Sequence, residues 1–74
     1  MQCEIEVSFI FNGGIRTLTL IGSTGDYFAS STYPGINAEG DSWNALRDNI
    51  RREVMQCYKI SADKIIRVEI PENL

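Results

Sequence analysis

The stretch YPGINAEGDSWNALRDNI, residues 33–50, decides how the chain is organised. It runs from a proline-glycine corner through a short extended piece into a helix. Proline has no amide donor and glycine permits a reversal, so Tyr33-Pro34-Gly35 ends the strand before it. Residues 36–39, INAE, suit one more short strand. Gly40-Asp41-Ser42 then leads into the helix, where Asp41 or Ser42 can accept hydrogen bonds from the first amides. Neither has Glu or Gln three residues on, so a reciprocal capping box is absent. From there the apolar positions Trp43, Leu46, Ile50, Val54 and Tyr58 follow spacings of three and four, one helical stripe. Asn44, Asp48, Arg51 and Arg52 fall on the opposite face. The spacing predicts a helix that ends near Tyr58 or Lys59.

Upstream of this junction, residues 4–11, EIEVSFIF, alternate. Ile5, Val7, Phe9 and Phe11 share one face, and Glu4, Glu6 and Ser8 the other, which is the pattern of a half-buried strand. Asn12-Gly13-Gly14 tolerates the positive φ that tight hairpins require. IRTLTLI, residues 15–21, continues as a strand with Leu18 and Leu20 on one face and Thr17 and Thr19 on the other. GSTGD, residues 22–26, is a second turn, and YFASST, residues 27–32, a third strand. Downstream of the helix, ISADK makes a turn and IIRVEI, residues 65–70, a last strand. Ile66, Val68 and Ile70 are expected on its inner face, and Pro71 stops it. One helix with one apolar stripe covers one face of a sheet. The expected fold is therefore α+β, two-layered, with a mainly antiparallel sheet of 4–5 strands in the order β-β-β-(β)-α-β. Residues 1–74 form a single domain.

A chain of 74 residues buries only about 60% of the surface it exposes when unfolded. At that size extra support usually comes from disulfides, metal or association. Cys3 and Cys57 form no Cys-x-x-Cys pair and there is no histidine, so a structural zinc site lacks ligands. Two buried thiols are the expected state of the cysteines, with a Cys3–Cys57 disulfide as the alternative. That leaves self-association, and a homodimer is expected. No segment approaches the ~20 apolar residues of a membrane span. Glu4 and Glu6 stand where a leader peptide needs positive charge. A cytoplasmic protein is the expectation.

The net charge is −3 and unevenly spread. Six of the seven basic residues follow residue 41, including Arg47, Arg51 and Arg52. Asp48 offers Arg51 and Arg52 partners at i+3 and i+4, so this cluster reads as a solvated helix face. Histidine, the commonest general base, is missing, and no phosphate-loop pattern surrounds Gly13-Gly14. Nothing points to catalysis, a metal or a cofactor.

Residues 25–50 carry a resemblance. Gly25 with Tyr27-Phe28-Ala29, then Tyr33-Pro34-Gly35, Gly40-Asp41-Ser42 and Asn49-Ile50 resemble, in order, the glycine and aromatic strand, the Leu-Pro-Gly corner, the Gly-Asp-Thr turn and the Asn-Ile helix pair of the HicB-like antitoxin family. Residues 16–21 resemble the family's first strand, with residues 1–12 an addition before it. Arg47 stands at a usually apolar position, and Ile36 replaces a frequent cysteine. The resemblance implies a non-catalytic protein-binding module that masks a HicA-type RNA-cleaving toxin. It places partner contacts at Tyr33, Pro34, Gly35 and Ile36. The DNA-binding domain usual in the family has no counterpart in these 74 residues, so no direct DNA binding is expected from them.

Two alternatives stand beside this reading. A small RNA-binding domain would need a basic stripe with aromatics on the same surface; here the aromatics are expected on apolar faces. An orphan ligand-binding or enzyme subunit would need a pocket with convergent polar groups.

Overall fold

A computed structural model describes residues 2–23 and 25–71. Strands β1 (Gln2–Phe11) and β2 (Gly14–Ser23) pair antiparallel along their whole length, from Phe11↔Gly14 to Gln2↔Ser23. Asn12 and Gly13 join them with φ of 54° and 78°. Positive φ at both central residues is the geometry whose twist matches the flanking strands, which is why an Asn-Gly pair sits there. Strands β3 (Phe28–Ser31) and β4 (Ile36–Glu39) follow, then helix α1 (Trp43–Tyr58), a 3-10 turn at Ala62–Lys64, and strand β5 (Ile65–Glu69). The sheet order is β4-β3-β2-β1-β5, and every neighbouring pair is antiparallel. This is the expected two-layer α+β fold, with the fifth strand present.

Alternation puts Ile5, Val7 and Phe9 of β1 and Leu20 of β2 against the helix, and all four are completely buried. Leu46, Ile50 and Val54 of α1 meet them, together with Ile36 from β4. Trp43 and Tyr58, at the two ends of the stripe, are half-buried. Asp48, Arg51 and Arg52 are exposed, as the periodicity requires.

The Gly-Asp-Ser junction works in three ways. The Gly40 amide donates to the Tyr27 carbonyl at 3.0 Å, tying the helix entry to the start of β3. A Cβ on Gly40 would lie 2.7 Å from the Leu46 nitrogen and 2.9 Å from Ala45 atoms, so only glycine lets β4 run this close to the first turn of α1. The Ser42 hydroxyl caps the helix by accepting from the Ala45 amide at 3.1 Å. One turn further on, the Asn49 side-chain amide donates to the Glu39 carbonyl at the end of β4. Asn49 thus fastens the helix to the strand while Ile50 beside it enters the core.

Four details differ from the sequence expectation. The third strand is shorter than residues 27–32, because Tyr27 takes φ of 47° and turns its ring edge-on to Trp43, with centroids 5.0 Å apart. Ile66 does not join Val68 and Ile70 inside; it is 51% exposed. The β1–β5 register explains this: Ser8 faces Arg67 but Phe9 faces Ile65, leaving Ile66 as an extra residue. Such a bulge reverses the alternation on one side, and Ile65 packs on the core instead. Both cysteines are free, but only Cys3 is buried; Cys57 is exposed on α1. Lastly, Phe28 and Tyr33 do not follow the aromatics onto apolar faces, being 38% and 92% exposed.

Candidate functional site

The helix covers one face of the sheet, and among the described residues nothing covers the other. The residues that alternate outward are Gln2, Glu4, Glu6, Ser8 and Ile10 on β1, Ile15, Thr17, Thr19, Ile21 and Ser23 on β2, Phe28 and Ser30 on β3, Asn37 and Glu39 on β4, and Arg67 and Glu69 on β5. Their registers fix the layout. Glu4 lies directly across from Ile21, Phe28 across from Glu39, and Glu6 across from Glu69. Ile21 and Phe28 are diagonal neighbours, because Ile21 pairs with Ser30 and Ser23 with Phe28. The result is an apolar centre, Ile21 and Phe28, exposed by 43% and 38%, with Glu4, Glu6 and Glu39 on adjacent positions and Glu69 one strand beyond Glu6. The one cation in this set, Arg67, lies 3.5 Å from Glu69.

Like charges directly across a ladder repel. Glu6 and Glu69 therefore favour a cationic group arriving over this face. Small residues point inward at Ala29 and Ala38, so the strands approach α1 closely and the bulky Phe28 is turned outward. That small-inside, large-outside pattern was the signal in the sequence for this surface.

The proline-glycine corner is divided. Tyr33 and Gly35 are exposed and Pro34 is half-buried, with its carbonyl accepting from the Ser31 hydroxyl. Ile36 is 1% exposed and belongs to the core, so its side chain presents no surface.

At the far end of the hairpin, Phe11, Tyr58 and Ile10 line a groove of about 480 Å³ with Lys59 and Lys64. The Arg16 guanidinium stands over the Phe11 ring at 5.3 Å and the Tyr58 ring at 5.8 Å, within cation–π range. This small end is cationic and aromatic, in contrast to the acidic sheet face. Among the described residues no group of three or more His, Cys, Asp and Glu side chains could hold a metal ion. Among them, too, no helix is long and apolar enough to cross a membrane.

Fold and surface together define a thin α+β domain with one helix-covered face and one open, acidic face. No family model, no curated protein and no solved structure matches the chain.

Proposed function

We propose that the chain is a non-catalytic protein-binding module of the HicB-like kind, which masks a basic, HicA-type RNA-cleaving toxin. The observation that carries this reading is the open sheet face, where Glu4, Glu6 and Glu39 adjoin Ile21 and Phe28 and Glu69 extends the acidic surface beyond Glu6. An apolar centre inside a polar rim is the anatomy of a protein interface. An acidic rim steers a basic partner and fixes its orientation. A ribonuclease that grips RNA needs a basic surface, and such a surface complements this face. Tyr33 adds exposed aromatic area at the corner between β3 and β4.

The test is to search for a short basic gene beside this one and, with its product, to measure inhibition of RNA cleavage. Stoichiometric inhibition is expected, lost on Ile21→Asp and weakened with shallower salt dependence on Glu4→Lys. Full cleavage in the presence of excess folded chain, or the absence of any short basic neighbouring gene, rejects the reading.

One observation favours RNA binding as a second reading: Arg16, Lys59 and Lys64 gather around Phe11 and Tyr58 at the hairpin end. Cations beside stackable rings suit single-stranded RNA. Fluorescence anisotropy with a short labelled RNA separates the two. Sub-micromolar, salt-sensitive binding that is lost on Arg16→Ala would put this reading first.

A further inference from the structure

The hairpin is longer than the strands that flank it. On the β3 side only Ile21, Gly22 and Ser23 of β2 are paired, so residues 14–20 have a partner in β1 alone. Among the described residues no other backbone or side-chain group bonds to the outer edge of this segment. The two-residue loop fixes which backbone groups that edge presents. Phe11 and Gly14 close the hairpin and exchange hydrogen bonds, and bonded and non-bonded pairs then alternate along the ladder. Arg16, Leu18 and Leu20 therefore bond to β1, while Ile15, Thr17 and Thr19 turn their N–H and C=O groups outward. Ile21, next in that series, is the residue that begins the pairing with β3, as the alternation requires.

We propose that this open edge of β2 pairs antiparallel with the same edge of a second copy of the chain, about a two-fold axis at Thr17. The register is self-complementary: Thr17 meets Thr17, and Ile15 meets Thr19 on both sides of the axis. Every outward amide and carbonyl of the three residues then finds a partner. Their side chains are uncharged and β-branched, which suits cross-strand packing.

The other surfaces suit a second copy less well. Strand β4 has four residues, and the carbonyl of its last, Glu39, is taken by Asn49. Strand β5 carries Arg67 and Glu69 on its outward positions, the charges that commonly guard an edge. Packing the open faces of two copies together would set carboxylates against carboxylates. The edge of β2 is thus the place for a homodimer, and its use leaves the acidic face available to another partner.

Light scattering on a size-exclusion column, with amide hydrogen exchange by NMR, tests this. The wild-type mass is expected at twice 8.3 kDa, falling towards one chain on dilution. In the dimer the Ile15, Thr17 and Thr19 amides are expected to exchange slowly, and in the diluted monomer quickly, while Arg16, Leu18 and Leu20 stay protected throughout. Thr17→Lys, which sets two cations on the axis, should weaken the dimer by about tenfold or more. Thr17→Pro removes only an outward N–H, so it should yield a folded monomer by circular dichroism. A single-chain mass at every concentration overturns the proposal. So does a dimer in which the three amides exchange as fast as those of exposed loops, and so does a dimer undiminished by Thr17→Lys. Should Thr17→Pro unfold, the wild-type exchange pattern and Thr17→Lys still decide the matter.

Discussion

Replacing Gly40 by alanine tests whether the strand-to-helix junction is a packing device. The added Cβ would lie 2.7 Å from the Leu46 nitrogen and 2.9 Å from the Ala45 carbonyl carbon and Cβ. Two of these three atoms are backbone, so no rotamer change relieves the contact; the first turn of α1 has to move away from β4. Overpacking of this kind costs about 1–3 kcal/mol. The same movement strains the bond from the Gly40 amide to the Tyr27 carbonyl, 3.0 Å long, worth about 0.5–1.5 kcal/mol. Reduced freedom of the unfolded chain offsets about 0.4–1 kcal/mol of this at best. A net loss of about 2 kcal/mol is expected, which for a domain of this size lowers Tm by about 8–16 °C. Urea and thermal melts by circular dichroism measure it. Gly25→Ala is the matched control: a Cβ there meets nothing within 4 Å, so its melt should be unchanged or slightly raised. A Gly40→Ala melt within about 0.5 kcal/mol of wild type, the range of an ordinary surface change, would refute the close-approach argument.

Ile50→Ala should cost about 2–5 kcal/mol in a urea melt, because Ile50 is wholly buried, whereas Arg52→Ala should stay within about 0.5 kcal/mol. Glu6→Lys replaces the repulsion across from Glu69 by attraction and should raise stability by about 0.2–1 kcal/mol, towards the lower figure because both side chains are exposed. The same variant should weaken capture of a basic partner in a titration. The Ser61 hydroxyl bonds to Asp63 and holds its carboxyl below the ordinary aspartate range. A carboxyl so lowered stabilises the fold above its unfolded pKa, and that contribution is lost as pH falls through the folded value. Melts of wild type and Asp63→Asn should therefore converge as the pH drops below the ordinary aspartate range; a gap that widens there would reject the assignment.

The helix and the hairpin were legible in the sequence because each rests on local repetition. Leu46, Ile50 and Val54 repeat at helical spacing, and Ile5, Val7 and Phe9 repeat every second residue, so their burial follows from position alone. Ile66 was not legible. Its exposure comes from a bulge between β1 and β5, a property of how two distant segments pair. The open edge of β2 was hidden for the same reason: residues 15–21 read as a strand, but nothing local says that β3 reaches only as far as Ile21. For the candidate site, the outward alternation of Glu4 and Glu6 was plain. Phe28 was not, because aromatic residues are usually core and the decisive sign was the small Ala29 beside it. Ile36 shows the converse, an apolar residue next to a surface corner that the core takes up.

The two thiols differ in a way that makes the chain its own reporter. Cys57 stands exposed on the helix, while Cys3 is 8% exposed near one end of the hairpin, across from Gly22. An alkylating reagent reaches the first at once and the second only when that end of the sheet opens. The slow phase of a labelling time course thus clocks the breathing of the sheet, with no substitution made in the chain.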